Sequence, residues 1–190
     1  MGTWQGGKEK APAAICRKVI NSQKEIEIWG DGLQTRSFLY IDDCIDATRL
    51  LMQSTFMGPV NIGSEEMVTI NSLVDIASTF ENKYLEKRHI SGPQGVRGRN
   101  SDNRLIEEKL GWKPKYTLED GLKKTYFWIK QQMDKYKDPF IAAIAYNAGP
   151  GTIERAMLMA DQRGGTWKDY IPEETKGYLT KVFPKGEENQ

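Results

Sequence analysis

The chain has 190 residues, of which 38% are apolar and 28% are charged, and its 27 basic and 26 acidic residues leave a formal net charge of +1. This composition is typical of a globular protein with a hydrophobic core. A near-neutral charge without a long basic block argues against nucleic acid or a membrane surface as the main partner. The apolar run from Phe140 to Tyr146 is too short to cross a bilayer.

Rare residues exclude further classes of site. The single histidine, His89, cannot build a metal site or a proton relay that needs two imidazoles from one chain. The two cysteines, Cys16 and Cys44, fit no Cys-x-x-Cys motif and are expected to be buried, reduced thiols. Together with an N-terminus that lacks the apolar core of a signal peptide, they predict a cytoplasmic protein.

Apolar spacing and turn residues predict an α/β organisation over residues 1–137. Helices are predicted from Pro12 to Ile20 and at residues 44–53, 73–80, 104–110 and 118–135, and strands at residues 25–29, 36–41 and 59–63. Asp42 or Asp43 is expected to cap the second helix and Asn71 the third, while Gly111 ends the fourth. Residues 91–103 hold glycines and no periodicity, so they are expected to form a loop.

Beyond Pro139 the pattern changes. Residues 140–148 and 152–160 are predicted as two short helices separated by Gly149-Pro150-Gly151, and no strand-like alternation follows. We therefore divide the chain into an α/β region, residues 1–137, and a small all-α tail, residues 138–190.

Three arginines and one lysine are candidates for chemistry. Arg97 and Arg99 lie in the glycine-containing loop, and Arg36 follows the Gly30-Asp31-Gly32 turn. Guanidinium groups bind phosphate oxygens through paired hydrogen bonds, although a solvated loop and a plain hairpin turn explain the same residues. Lys10 is expected in the first turn of the first helix, where the helix dipole disfavours a protonated ammonium; an ordinary solvated lysine is the alternative.

Three segments of the α/β region resemble the GDP-mannose 3,5-epimerase family. They are Gly2 to Ala14, Trp29 to Phe38 and Gly92 to Asp102, and the resemblance extends to about Tyr136. The Gly-Asp-Gly-x-Gln-Thr-Arg-Ser-Phe segment and the later Leu110-Gly111-Trp112-x-Pro114 segment are typical of extended short-chain dehydrogenase/reductases that act on nucleotide sugars.

The resemblance implies an NAD-assisted epimerase that oxidises C4 of a hexose, exchanges the acidified C5 and C3 protons, and reduces the ketone again. By matching position, Lys10 would be one member of the acid–base pair. The positions expected to line the GDP-mannose site are Glu9, Lys10, Ala11, Lys18, Gln34, Thr35, Arg36 and Arg99. No metal site is implied.

The sequence also departs from the family. A glycine-rich nucleotide loop does not occur in these residues. Tyr126 and Lys130 have the Tyr-x-x-x-Lys spacing, but the pair of the family lies upstream of the Gly-Thr-Trp segment, so these two residues do not match it. We therefore expect residues 1–137 to be the substrate-binding part of the fold without its Rossmann nucleotide half. The chain alone is expected to recognise a GDP-sugar without turnover and without binding NAD, which is the cofactor of the family.

The tail resembles the C-terminal part of the lytic transglycosylase family, a lysozyme-like class. The matching segments are Ala143 to Gly151 and Tyr170 to Val182. The resemblance implies that Tyr146 and Asn147 contact a glycan and that Tyr178 borders the cleft. The general-acid glutamate of that family has no counterpart here, so Glu154, Glu173 and Glu174 are expected to be surface charges.

Three functional hypotheses follow. The first is an epimerase-like region that binds a GDP-sugar; the second is a glycan-directed module that acts through the tail, with peptidoglycan as its partner. The third is an inactive scaffold, fragment or fusion. Three origins would explain why an epimerase-like region is followed by a transglycosylase-like tail: a natural fusion, a truncated gene product or an engineered chimera.

Overall fold

The structure is a computed structural model that describes residues 10–92, 97–137 and 139–182. The chain divides into two compact units. One unit comprises Ile15–Tyr126, and the other combines the N-terminal residues through Ala14 with Phe127 and the residues after it. The predicted division at residue 137, drawn from the change of pattern beyond Pro139 and from the two family resemblances, stays a prediction.

The elements alternate between helices and short strands up to residue 136. The helices are α1 (Ala11–Asn21), α2 (Ile41–Gln53), α3 (Ile70–Thr79), α4 (Arg104–Leu110), α5 (Leu118–Tyr136), α6 (Pro139–Ala148), α7 (Pro150–Arg163) and α8 (Glu173–Val182). The strands are β1 (Glu25–Trp29), β2 (Thr35–Ser37), β3 (Met67–Thr69), β4 (Glu86–Ile90) and β5 (Gly98–Arg99). A 3₁₀ helix, Trp167–Tyr170, precedes α8.

Two small sheets form in the unit of residues 15–126. β1 pairs in parallel with β4, from Glu25 opposite Glu86 to Trp29 opposite Ile90. The second sheet has the order β3-β2-β5, with β2 antiparallel to β3 and parallel to β5. A parallel pair needs a long connection between its strands. Residues far apart in sequence therefore meet at β5.

Several sequence predictions are confirmed. β1 alternates exposed glutamates with buried Ile26 and Ile28, as the pattern indicated. Gly111 ends α4 in the left-handed conformation with φ +63°. The helix predicted at 118–135 is α5. The described elements of the tail are helices, and Gly149 separates α6 from α7 with φ +85°.

Other predictions are corrected. The strand predicted at residues 36–41 is confined to Thr35–Ser37, because the chain turns into α2 at Ile41 with Tyr40 as its extended N-cap. Asp43 therefore lies inside the first helical turn and does not cap it. The loop predicted at 91–103 contains the short strand β5, which becomes a strand only by pairing with β2.

The cap of α3 and the third predicted strand also differ. Thr69, not Asn71, caps α3, since the Thr69 Oγ1 accepts the Ser72 amide at 3.0 Å. Residues 59–63 form no strand, because no described strand pairs with them. Val60 and Ile62 instead pack against the buried cluster of Ala47, Ile106 and Trp112.

Each unit has its own buried apolar cluster. In residues 15–126 the cluster just named is extended by Leu39 and Leu110. In the other unit, buried Ile141, Ile144 and Ile153 pack with Ala145, Ala156 and Ile171. Among the described residues, the helices are all too short or too polar to cross a membrane.

Candidate functional site

Two arginines lie side by side where β2 pairs with β5. Arg36 is the direct register partner of Arg99, and in adjacent strands such partners are about 5 Å apart and share one face of the sheet. Arg36 is half-buried and its Nη1 donates to the carbonyl oxygen of Thr35 at 2.6 Å, whereas Arg99 is exposed. Within the described ranges, neither guanidinium forms an ion pair with a carboxylate. The β2–β5 pair therefore carries two arginines at paired positions, and no carboxylate of the described residues neutralises either of them.

The turn before β2 sets where these residues lie. Gly30 and Gly32 have φ values of +72° and +69°, in the left-handed region that favours glycine. The Leu33 amide donates to Asp31 Oδ1 at 2.9 Å, which closes a local Asx turn. A Cβ on Gly32 would lie 2.0 Å from Asn71 Oδ1, so a glycine is required at this point of contact.

Asn71, in the first turn of α3, holds the turn from its other side. The Asn71 amide donates to Gly32 O at 3.0 Å and Asn71 Nδ2 donates to Asp31 O at 3.1 Å. Asn71 Oδ1 lies 3.1 Å from His89 Nε2. Because the Nδ2 group is already a donor, Oδ1 is the acceptor and His89 carries a hydrogen on Nε2. The sole histidine thus supports the turn.

Gln34 and Thr35 lie between this turn and Arg36. Gln34 Nε2 donates to Trp29 O at 3.4 Å, while Gln34 Oε1 is buried and has no hydrogen-bond partner in the described part of the chain. The Thr35 amide donates to Arg97 O at 2.8 Å. A Cβ on Gly98 would approach Thr35 Oγ1 to 3.0 Å, so the glycine permits the close pairing of the two strands.

Arg97, a candidate phosphate ligand from the sequence, is paired with an acid. Its Nη1 donates to Asp31 Oδ2 at 3.0 Å. The Leu33 amide, followed by the Arg97 charge, lowers the pKa of Asp31. Sequence reasoning missed the role of Asp31, because 66 residues separate it from Arg97. The one available signal was an acidic residue inside a Gly-x-Gly turn.

The remaining predicted site residues lie elsewhere. Lys18, near the end of α1, donates through Nζ to Glu27 O of β1 at 2.9 Å. Lys10 is exposed, and its carbonyl accepts the Ala14 amide at 3.0 Å as α1 begins at Ala11. Lys10 and Ala11 belong to the other compact unit from the arginines. Glu9 lies outside the described residues.

The predicted glycan residues fall in two tail helices. Tyr146 and Asn147 belong to α6 and Tyr178 to α8, and their side chains lie outside the described part of the structure. Glu154 pairs with Lys135, and Glu173 pairs with Lys176 at 2.6 Å. No described contact favours a glycan-directed function, so the predicted role of the tail stays a prediction.

A cavity of about 600 Å³ is lined by neither Arg36 nor Arg99. Its polar lining residues include Asn61, Asp102, Arg104 and Glu108. The Arg104 side chain, the main cause, lowers the pKa of Asp102 to about 2 and pairs with it. Because this guanidinium is already neutralised, the cavity is a weaker anion site than the edge at Arg36 and Arg99.

Comparison with known proteins identifies relatives for the α/β region. Residues 4–125 match the family model described as GDP-mannose 4,6 dehydratase. The chain is 58% identical over 136 residues to GDP-mannose 3,5-epimerase of Arabidopsis thaliana, a match covering 72% of this chain and 36% of that protein. It is 55% identical over 147 residues to GDP-mannose 3,5-epimerase 1 of Oryza sativa subsp. indica, covering 77% and 39%.

A solved structure shows the same fold. UDP-glucuronic acid 4-epimerase from Bacillus cereus, in complex with UDP-glucuronic acid and NAD, aligns with a TM-score of 0.57 and 30% identity. The alignment covers 68% of this chain and 43% of that one. The chain therefore spans well under half the length of these relatives. None of the three is a lytic transglycosylase, so they do not test that resemblance.

Proposed function

The chain belongs to the GDP-mannose 4,6-dehydratase family, and from that premise we propose that it recognises the diphosphate of a GDP-sugar at the edge formed by β2 and β5. The proposal is a substrate-binding role like that of the GDP-mannose 3,5-epimerases, to which residues of this region are 55–58% identical. Recognition without turnover is proposed for the 190 residues themselves.

The observation that carries the proposal is the Arg36–Arg99 pair. Like charges placed opposite each other on adjacent strands destabilise a sheet. A diphosphate offsets this repulsion, because its two charged groups accept charge-assisted hydrogen bonds from both guanidiniums.

NAD does not fit the described residues. A dinucleotide pyrophosphate is held where a strand runs through a glycine-rich turn into a helix N-terminus. The Gly30-Asp31-Gly32 turn follows β1 but leads into β2, and Asn71 fills the space beside Gly32. We therefore derive no step through this cofactor, although the B. cereus relative was solved with NAD.

Calorimetric titration with GDP-mannose tests the proposal. Charge-assisted hydrogen bonds contribute ~1.5–3 kcal/mol each, so Arg36→Ala and Arg99→Ala should each weaken binding by roughly tenfold or more. Arg49→Ala is the matched control, since Arg49 is an exposed arginine on α2 that contacts Asp46. Equal affinities for wild type, Arg36→Ala and Arg99→Ala would refute a site at this edge.

Lys10 is proposed as the acid–base residue by its family position. A proton beside an alcohol carbon is far too weakly acidic for a lysine, whereas a proton beside a ketone is within reach. Incubation with a GDP-4-keto-hexose in heavy water should therefore label C5 or C3, and Lys10→Ala should abolish the labelling. Equal labelling by both proteins would remove Lys10 from the proposal and leave the arginine site untouched.

A further inference from the structure

The Asp31 side chain joins the turn before β2 to the start of β5. One carboxylate oxygen accepts the Leu33 amide at 2.9 Å and the other accepts Arg97 Nη1 at 3.0 Å. Arg97 immediately precedes β5, and its carbonyl accepts the Thr35 amide at 2.8 Å. Arg97 is therefore held in two ways: its side chain pairs with Asp31, and its carbonyl oxygen accepts the amide of Thr35 in β2.

β5 needs such a restraint. It contains only Gly98 and Arg99, and it lies at the edge of its sheet beside β2. A strand of two residues forms few hydrogen bonds with its neighbour, so its pairing is weak. Repulsion between Arg36 and Arg99 weakens the pairing of β5 with β2 further. The Asp31–Arg97 pair opposes the repulsion just outside the strand and also neutralises a third arginine.

We propose that Asp31 is a positioning residue for the anion site: by holding Arg97 it keeps β5 paired with β2, and so keeps Arg99 beside Arg36 when the diphosphate arrives. The inference rests on the proposed function. Asp31 does not contact the phosphate groups and acts on the anion site only through Arg97 and the strand that follows Arg97.

Positioning and simple electrostatics predict opposite effects for one substitution. Asp31→Asn removes a negative charge close to an anion site, so long-range electrostatics alone predicts tighter binding of an anion. If Asp31 positions β5, the same substitution weakens binding although the site becomes more positive. Asparagine keeps a side-chain oxygen that accepts the Leu33 amide, so the turn itself is preserved.

The experiment titrates GDP into the full chain and into Asp31→Asn, Arg97→Gln and the double variant. Because exposed ion pairs contribute little, we expect a roughly three- to fivefold weaker affinity for Asp31→Asn. The double variant should bind no more weakly than Arg97→Gln, because both substitutions remove the same restraint. Asp46→Asn is the matched control, since it breaks an exposed pair with Lys115 at 2.8 Å away from the turn.

Unchanged or tighter binding by Asp31→Asn overturns the positioning role and leaves the proposed function standing. If the wild-type chain does not bind GDP, the proposed function fails. Hydrogen exchange of the Thr35 amide then decides the positioning role, because this amide donates to Arg97 O. Faster exchange in Asp31→Asn than in Asp46→Asn supports the role, and equal exchange overturns it.

Discussion

At the scale of single residues, the paired aspartates that open α2 have different environments. Asp43 is only 1% exposed and accepts the amides of Lys115 and Tyr116 at 3.1 and 3.0 Å, whereas Asp42 is exposed. A buried carboxylate is stable when hydrogen bonds satisfy it. Asp43 therefore joins α2 to the segment that leads into α5.

Asp43→Ala should lower the free energy of unfolding by about 2–3 kcal/mol, because it leaves two part-buried amides without an acceptor. Asp42→Ala, in the same helical turn, should cost less than about 1 kcal/mol. Urea denaturation of both variants measures the difference. Equal losses would mean that the hydrogen bonds of Asp43 contribute no more than the helix-dipole effect.

The sequence alone predicted which arginines belong to the site, but it did not predict which residues contact them. Arg36 and Arg99 were candidates because guanidiniums suit phosphate. Arg97 is paired because Asp31, which is remote in sequence, lies beside it, whereas no carboxylate of the described ranges pairs with Arg99. Asn71 was expected to cap a helix, yet its side chain supports the turn, because Thr69 already occupies the capping position.

At the scale of elements, the turn between β1 and β2 depends on a glycine with two constraints. Gly32 has a positive φ, and a Cβ there would overlap the Asn71 side chain. Gly111 at the end of α4 also has a positive φ, but a Cβ there would meet nothing within 4 Å. A substitution at Gly111 therefore measures backbone strain alone, whereas a substitution at Gly32 measures backbone strain together with steric overlap.

Gly32→Ala should therefore destabilise the chain more than Gly111→Ala. The left-handed conformation alone costs an alanine about 1–2 kcal/mol, and displacement of Asn71 from Asp31 and His89 adds about 1–3 kcal/mol. Thermal or urea denaturation of both variants tests this expectation. An equal effect of the two substitutions would show that Asn71 moves aside without cost.

The end of α3 is joined to α5 by a buried tyrosine. Tyr126 is fully buried, and its Oη donates to Glu81 Oε2 at 2.7 Å. Burial, followed by the nearby Cys16, raises the pKa of Tyr126 to about 12 from its ordinary value of 10. Folding therefore favours the protonated phenol.

This shift predicts a pH dependence in the alkaline range. Between pH 10 and about 12 the unfolded tyrosine ionises while the folded one does not, so its stabilising contribution is complete below pH 10 and is lost as pH rises toward 12. The slope for one group is about 1.4 kcal/mol per pH unit. Tyr126→Phe should remove this part of the wild-type curve, whereas Tyr84→Phe, at a 94% exposed position, should not. Parallel curves for wild type and Tyr126→Phe would contradict the assignment.

The helices were more predictable than the strands. α4 and α5 follow local apolar spacing and, for α4, a terminal glycine, so a short window contains the necessary information. β4 and β5 escaped prediction because neither alternates clearly between apolar and polar residues. β4 carries Glu86, Lys87, Arg88 and His89 in succession, and its parallel partner β1 lies about 60 residues earlier.

At the scale of the whole molecule, the described residues form two compact units, and the family match ends at residue 125, near the end of one of them. The substrate-binding proposal concerns that unit. Its fold was expected from the resemblance of residues 1–136, and relatives support that part. The helices of the tail were expected from its apolar pattern, and its family origin stays a prediction.

The central claim is that the β2–β5 edge binds the diphosphate of a GDP-sugar. The most direct measurement is a titration of the isotopically labelled chain with GDP-mannose, followed by amide chemical shifts in NMR spectra. We expect saturable shifts concentrated at Gln34, Thr35, Arg36, Gly98 and Arg99, which disappear in Arg99→Ala. Shifts confined to other parts of the chain, or none at millimolar ligand, would contradict it.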